Sequence, residues 1–204
     1  MPTLSDKPKK KATKAKKPAA PKKEYAYALE PLPEKTKNVW ESESEVGETL
    51  AALIKLSGFK NVLELGTLEG KTTDAMLQAL GESATLTTVD IEDLRSDTFK
   101  EICSFDNRVK FIKGDSTEVC KSLFGKAKFD LIFVDTVHTF EHALPEFKAI
   151  EPLMAQGCVL AYHDSIKFEG IEKLINYAKA FRYNAVTLQT PEYNGLTLLQ
   201  RREH

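Results

Sequence analysis

Apolar residues recur along the chain with two spacings, one typical of helices and one typical of strands. From Ser42 the helical spacing predicts an amphipathic helix that ends near Gly58. Short apolar runs predict the strands Asn61–Leu65, Thr85–Val89, Val109–Ile112, Phe129–Val134 and Cys158–Ala161. Helical stretches lie near Thr72–Leu80, Asp93–Phe105, Thr117–Phe124, about Thr139–Met154 and Glu169–Phe181.

This order of elements predicts an α/β fold, because strands that alternate with helices form βαβ units and a mostly parallel sheet. Pro145 is expected to mark the true start of the fourth of these helices, or a kink within it. The last apolar runs, Asn184–Gln189 and Leu196–Gln200, are separated only by the turn-like segment Thr190–Gly195, so they predict an antiparallel hairpin. We therefore expect a Rossmann-like, doubly wound sheet of seven strands.

The first part of the chain has a different composition. Residues 1–37 are rich in Lys, Pro and Ala without a periodic apolar face, so we expect a disordered tail ahead of a domain formed by residues 38–204. Met1–Lys23 contain nine Lys and one Asp, whereas the whole chain has a formal net charge of -1. The tail is therefore basic and the remainder acidic. This leaves open whether the tail only solubilises the protein or contacts a polyanion or an acidic partner.

Cysteine content and hydropathy narrow the class of protein. Cys103, Cys120 and Cys158 form no CxxC pair and lie in apolar or helical contexts, so we expect reduced thiols and no cysteine zinc site. No apolar run reaches the roughly 18 residues of a membrane span. The N-terminus also lacks the apolar segment of a signal peptide. These observations predict a cytoplasmic location.

Ligand chemistry is expected at the carboxyl ends of the strands, where open parallel sheets bind ligands. Gly66 and Gly70 follow the first strand and permit a tight turn and close ligand approach, and there is no GxxxxGK[ST] phosphate loop. Asp90 follows the second strand, where a carboxylate suits either ribose hydroxyls or the cap of the next helix. Asp115 follows the third strand and suits either the amine of adenine or a helix cap.

The fourth and fifth strands are each followed by an aspartate and a histidine. Asp135 and His138 follow the fourth strand, and His163 and Asp164 follow the fifth. Because neighbouring parallel strands lie about 5 Å apart, we expect these side chains to converge. Two carboxylates and imidazoles at one edge suit a divalent cation and a general base. Taken singly, each could instead be a polar loop residue or a helix cap.

Several stretches resemble successive motifs of the class I S-adenosylmethionine-dependent methyltransferases. They are Val62-Leu-Glu-Leu-Gly-Thr-Leu-Glu-Gly70, Val89-Asp90, Gly114-Asp115 and Phe129-Asp-Leu-Ile-Phe-Val-Asp135. The terminal hairpin is a further feature of that family. Glu45–Asp164 is most similar to small-molecule O-methyltransferases of the catechol, caffeoyl-CoA and macrocin type. The resemblance implies S-adenosylmethionine as cofactor and a hydroxyl group of a small molecule as acceptor.

The resemblance also implies which residues bind the cofactor. They are Glu64, Gly66, Thr67, Gly70, Asp90, Ile91, Asp115 and Ser116. The two glycines and Glu64 would line its methionine portion, whereas Asp90 would bind the ribose and Asp115 the adenine.

A divalent cation, Mg²⁺ or Mn²⁺, is implied at Asp135, His163 and Asp164, where it would chelate the acceptor oxygen. His163 stands where the family usually has an acidic ligand, and imidazole suits transition metals better than Mg²⁺. His138 matches the position of the general base in the macrocin-type enzymes.

Two other interpretations stay open. The basic tail could steer a nucleic-acid methyltransferase, although Asp135-Thr-Val-His138 is neither the Asn/Asp-Pro-Pro-aromatic motif of amino-group base methylases nor a Pro-Cys. The chain could also be a cofactor-binding or scaffold protein without catalysis, since a fold does not secure an activity. The predicted partners are a small-molecule acceptor and a second copy of the chain in a homodimer.

Overall fold

A computed structural model of the chain describes the backbone of residues 39–190 and 193–202, with side chains from residue 45. The predicted basic tail lies outside these residues. The helices are α1 (Val39–Ser57), α2 (Lys71–Ala79), α3 (Asp97–Phe105), α4 (Ser116–Leu123), α5 (Phe140–Ile150) and α6 (Glu169–Phe181). The strands are β1 (Asn61–Leu65), β2 (Thr85–Asp90), β3 (Val109–Lys113), β4 (Phe129–Val134), β5 (Met154–Tyr162), β6 (Tyr183–Leu188) and β7 (Leu196–Arg201). Within this part of the chain, no helix is long and apolar enough to cross a membrane.

The seven strands form one sheet in the order β3-β2-β1-β4-β5-β7-β6. Strands β1 to β5 are parallel, whereas β7 pairs antiparallel with both β5 and β6. The predicted doubly wound, mostly parallel sheet with a C-terminal antiparallel hairpin is therefore confirmed. The strand order reverses between β1 and β4, so the topological switch point lies where these two strands end.

The core lies on both faces of the sheet, because alternate residues of a strand point to opposite faces. Val62 and Leu131 belong to one buried cluster with apolar residues of α1, α2 and α3. Leu63 and Ile132 belong to a second cluster with residues of α4, α5 and α6. Strands that are buried on both faces have nearly continuous apolar sequences. This explains why the sequence predicts β1 and β4 with the bounds that they have.

The predicted start of α3 is wrong. The helix begins at Asp97 and not at Asp93, because Ser96 is its N-cap and its Oγ accepts a hydrogen bond from the backbone N–H of Phe99 at 3.2 Å. The Asp93 carboxylate instead accepts a hydrogen bond from Arg95 Nε at 2.8 Å in the preceding loop.

The predicted boundary between α5 and β5 is also wrong. The helix α5 ends at Ile150, and a 3₁₀ turn, Glu151–Leu153, leads directly into β5 at Met154. Exposed residues at 156 and 157 interrupt the apolar pattern of β5, so the sequence reveals the strand only from Cys158. Pro145 lies inside α5, which begins at Phe140, so it does not mark the start of that helix.

Candidate functional site

Two cavities adjoin at the carboxyl edge of the sheet, beside the switch point. The larger has a volume of about 350 Å³, and the predicted cofactor residues that line it are Gly66, Asp90, Ile91, Asp115 and Ser116. The smaller has a volume of about 210 Å³, and the predicted site residues that line it are Gly66, Thr67, Asp90 and Asp135. Because both cavities share Gly66 and Asp90, they follow one another across the ends of β1 and β2.

The two glycines of the loop after β1 stand where a side chain would collide with a neighbouring element. At Gly66, which has a φ of 96°, an added Cβ would lie 2.0 Å from the carbonyl oxygen of Asp135. At Gly70, which has a φ of 89°, it would lie 2.2 Å from Cδ1 of Phe99. Gly66 is therefore needed so that the loop can pass β4, and Gly70 so that α2 can start against α3. Gly70 lines neither of the two cavities.

Asp90, the last residue of β2, holds the loop after β1. Its Oδ2 accepts hydrogen bonds from the backbone N–H groups of Thr67 and Leu68, each at 2.9 Å, and its Oδ1 accepts one from Glu92 N–H at 3.1 Å. The alternative of a helix cap is wrong, because α3 is capped by Ser96. A carboxylate has about four lone-pair sites, so Asp90 keeps capacity to accept a ligand hydroxyl.

Asp115 and Ser116 begin α4 at the far side of the larger cavity. Asp115 Oδ1 accepts a hydrogen bond from the backbone N–H of Glu118 at 2.9 Å, so the predicted helix cap is confirmed. The adenine contact of Asp115 stays a prediction. The hydroxyl of Ser116 donates to the buried carboxylate of Glu146, which lies beneath the cavity wall.

Glu64 is completely buried under the loop after β1. Its Oε2 accepts hydrogen bonds from the hydroxyls of Thr73 and Thr88, the second at 2.6 Å. Its Oε1 is buried and accepts no hydrogen bond from the described residues. Burial raises the pKa of Glu64 to about 8, although the two threonine hydroxyls act in the opposite direction. A positive charge on a nearby ligand would therefore favour the ionised form of Glu64.

His138 lies between two carboxylates. Its Nε2 is 3.3 Å from Asp135 Oδ1 and 3.5 Å from Asp164 Oδ2. Asp164 has a φ of 53°, in the left-handed region that favours glycine, so its backbone is strained where it brings the carboxylate to His138. His163 completes the group, with Nδ1 3.0 Å from Asp135 Oδ2. The four side chains that the sequence predicts to converge therefore do so.

The donor atoms of this group are close enough for a cation. Among the described residues, ligand atoms of Asp135, His138 and Asp164 all lie within 4.8 Å of one another. His163, the predicted third ligand, is buried, and its Nε2 is 3.9 Å from Asp164 Oδ1. Burial favours a raised pKa for Asp135, but the two histidines outweigh it and hold the pKa of that carboxyl well below its usual range. Asp135 is therefore ionised.

Two residues that line or support the larger cavity are absent from the sequence-based predictions. His142 lines the cavity, and Glu146 lies behind it with no exposed surface. Their spacing of four residues on α5 places them on one face of the helix, which is the one signal in the sequence. That face is otherwise apolar, so the pattern indicates only a core helix.

Residues 63–165 match a family of proteins whose shared unit is described as a methyltransferase domain. The chain belongs to this family. A protein of Mycobacterium tuberculosis named "Probable O-methyltransferase" is 37% identical over 94 residues. That match covers 44% of this chain and 42% of the relative, so the chain spans less than half the length of the relative in the alignment.

Solved structures share the architecture of this methyltransferase domain. An O-methyltransferase of Bacillus cereus in complex with SAH superposes with a TM-score of 0.66 at 20% identity, covering 84% of this chain and 93% of that one. The O-methyltransferase TomG of Streptomyces achromogenes, in complex with SAM, gives a TM-score of 0.63 at 17% identity with the same coverage. At these identities the likeness shows the fold.

Proposed function

We propose that the protein is an S-adenosylmethionine-dependent methyltransferase that acts on a hydroxyl group of a small-molecule acceptor. One observation carries the proposal: Asp135 lines the smaller cavity and its carboxylate contacts His138. Asp135 would therefore lie next to both the methyl donor in that cavity and the base that deprotonates the acceptor. The names of the Bacillus and Streptomyces structures, which record SAH and SAM, support this choice of cofactor.

The two cavities suit the two ends of the cofactor. The adenine would occupy the larger cavity beside Asp115, and the ribose would lie over Asp90, which both cavities share. The methionine portion would lie in the smaller cavity, against Gly66 and Thr67. Glu64 lies under this end, and the positive charge of the cofactor would favour its ionised form, which fits its unpartnered Oε1.

The residues of this chain would align the acceptor and take its proton. S-adenosylmethionine would supply a methyl group on a sulfonium, and an oxygen nucleophile would attack the methyl carbon in line and displace the thioether. His138 would accept the hydroxyl proton at Nε2, and the carboxylates of Asp135 and Asp164, at 3.3 Å and 3.5 Å, would stabilise the imidazolium that forms. The new bond joins carbon to the acceptor oxygen, and the broken carbon–sulfur bond leaves its electron pair on the thioether.

A divalent cation fits the same residues. Asp164 Oδ1 is buried and accepts no hydrogen bond from the described residues, and two carboxylates with an imidazole are a suitable donor set. Asp135 and Asp164 would be its oxygen ligands, and it would lower the pKa of a bound hydroxyl. The contribution of His163 as a further ligand stays a prediction.

The proposed function is tested by calorimetric titration with S-adenosylhomocysteine, followed by an acceptor screen with labelled S-adenosylmethionine, with and without EDTA. We expect binding, and we expect Asp90→Ala to weaken it by about 1.5–3 kcal/mol, the range for a hydrogen bond to a charged group. Glu101→Ala, an exposed carboxylate on α3, is the control. A folded protein that binds no S-adenosylhomocysteine, or an unchanged affinity in Asp90→Ala, would contradict the cofactor assignment.

We also propose that the basic residues 1–23 contact a polyanion or an acidic partner, that the protein is cytoplasmic and that it forms a homodimer. The cysteines support a reducing compartment, because Cys103, Cys120 and Cys158 are free. Deletion of residues 1–23 should leave the melting temperature and cofactor affinity unchanged while removing any salt-sensitive binding to polyanions. A large fall in melting temperature would show that the tail is packed.

A further inference from the structure

A buried carboxylate lies directly behind the wall of the larger cavity. Glu146, on α5, has no exposed surface, and its Oε1 accepts a hydrogen bond from the hydroxyl of Ser116. Thr136 Oγ1 donates to the same carboxylate, 2.9 Å from Oε2 and 3.1 Å from Oε1. Ser116 and Thr136 both line the cavity, so their hydroxyls donate to Glu146 and not to a ligand. Glu146 thus leaves two fewer hydroxyl donors for a ligand on the wall.

His142 is the third contact of this carboxylate. It lies one helical turn before Glu146, and its Nε2 is 3.5 Å from Glu146 Oε1. The carboxylate beside it raises the pKa of His142. The imidazole is 28% exposed and borders the cavity, so it combines a fixed position with access to a ligand. Nε2 is buried and faces the carboxylate, so Nδ1 is the ring nitrogen left to donate a hydrogen bond to a ligand.

The rest of the wall offers few polar groups to an adenine. Val89, Ile91 and Val137 supply apolar surface, and the capacity that Asp90 keeps beside its hydrogen bonds to the loop after β1 is assigned to the ribose. Asp115 uses Oδ1 to cap α4 and keeps Oδ2 for a ligand. Beside the ribose contact, Asp115 therefore offers an acceptor and His142 an N–H donor on a largely apolar wall. A flat, largely apolar ring with a donor and an acceptor on its edge matches this wall.

We propose that His142 donates a hydrogen bond to a ring nitrogen of the cofactor's adenine, and that Glu146 is the positioning residue that fixes the imidazole. The inference rests on the proposed function, since it assigns the larger cavity to the adenine. Adenine carries an amine, whose N–H can donate a hydrogen bond to Asp115, together with ring nitrogens that accept hydrogen bonds. A 6-oxo purine would present a carbonyl to Asp115, so the wall selects a 6-aminopurine.

The test uses calorimetric titration of the full chain with S-adenosylhomocysteine and with its 1-deaza, 3-deaza and 7-deaza analogues, which each lack one ring acceptor. We expect His142→Ala to lower the affinity for S-adenosylhomocysteine about tenfold, the effect of one such hydrogen bond. Glu141→Ala, in the same helical turn but exposed, should bind like the wild type. The wild type should bind one deaza analogue about tenfold more weakly than S-adenosylhomocysteine itself. His142→Ala should bind S-adenosylhomocysteine and that analogue equally.

Glu146 is tested through its coupling to His142. Glu146→Gln keeps the volume of the side chain and should lower the affinity for S-adenosylhomocysteine in the wild-type background, but not in the His142→Ala background. If Glu146→Gln does not fold, Glu146→Asp replaces it in the same comparison. Equal losses in the two backgrounds would assign Glu146 a purely structural role and overturn its part of the proposal.

The outcomes separate this inference from the proposed function. If the wild type binds no S-adenosylhomocysteine, the proposed function fails and the inference fails with it. If the wild type binds and His142→Ala has the same affinity, or still discriminates between the parent and the deaza analogue, the inference alone is overturned.

Discussion

The ring of Phe168 stacks on the imidazole of His138, with their centroids 4.5 Å apart and their planes inclined by 8°. Phe168 is the N-cap residue of α6, and Gly170 lies against the same loop, where an added Cβ would be 2.3 Å from the His138 carbonyl oxygen. The start of α6 therefore fixes both the backbone and the ring of His138. The candidate base depends on an element that contributes no residue to either cofactor cavity.

Phe168→Ala should uncover one face of the His138 ring without moving the cofactor residues. Loss of an aromatic pair is worth about 0.5–1.5 kcal/mol, so we expect His138 to react with diethyl pyrocarbonate about 2- to 10-fold faster. Peptide mapping by mass spectrometry measures the rate, with His142 as an internal reference. Phe124→Ala, at an exposed position after α4, is the control. An unchanged rate at His138 would show that the stacking does not protect the ring.

Gly66→Ala and Gly125→Ala form a matched pair. Both glycines have a positive φ, 96° and 74°, but an added Cβ at Gly66 meets the Asp135 carbonyl oxygen and one at Gly125 meets nothing within 4 Å. We expect Gly125→Ala to lower the free energy of unfolding by about 1–2 kcal/mol, the cost of the left-handed conformation. Gly66→Ala should cost at least about 4 kcal/mol and remove cofactor binding. Urea denaturation measures both, and similar losses would contradict the close approach of the loop to β4.

The buried Glu64 predicts a pH dependence of stability. Its pKa is raised from 4.5 to about 8, so between these values the folded protein holds a proton that the unfolded chain has released. The stability that it contributes is complete below pH 4.5 and is lost as the pH rises towards 8. Relative to Glu64→Gln, the wild type should lose up to about 1.4 kcal/mol per pH unit across this range.

Denaturation of both proteins at several pH values measures this difference. Glu101→Gln, at an exposed position on α3, is the control and should keep the pH profile of the wild type. Glu64→Gln should also bind S-adenosylmethionine more weakly, because it cannot ionise near the positive charge of the cofactor. Parallel profiles for the wild type and Glu64→Gln would show that the carboxyl is ionised in the folded protein.

The parts of the molecule that the sequence predicts are those with a strong local or topological cause. The bounds of β1 and β4 follow from burial on both faces, and the convergence of Asp135 with Asp164 follows from the parallel pairing of β4 and β5. The start of α3 is also visible in retrospect, because Ser96 precedes Phe99 by the spacing of an N-cap. Helical periodicity alone places the start at Asp93, whereas the N-cap residue Ser96 places it at Asp97.

Other parts depend on contacts between distant residues, which no local pattern reveals. Asp90 is engaged by N–H groups of a loop 22 and 23 residues earlier, and Ser116 donates to Glu146, 30 residues later. The periodicity of α5 indicates only a core helix, because the face that carries the buried carboxylate of Glu146 is otherwise apolar. The site is therefore predicted where strands end and missed where a helix carries it.

The donor atoms around Asp135 predict an order of metal affinities. With an imidazole among the ligands, Mn²⁺, Co²⁺ or Zn²⁺ should bind more tightly than Mg²⁺ in calorimetric titrations, and Asp135→Ala or Asp164→Ala should remove binding. If His163 is a ligand, His163→Asp should shift the preference towards Mg²⁺.

His138 provides the sharper comparison, because its Nε2 lies between the two carboxylates. If His138 acts only as a general base, His138→Ala should keep the metal affinity and reduce turnover by about 10²- to 10⁴-fold. If His138 is a metal ligand, His138→Ala should lose metal affinity and turnover together. Full turnover in EDTA, with no metal in the purified protein, would contradict the cation. Asp135 and Asp164 would then act only by stabilising the imidazolium of His138.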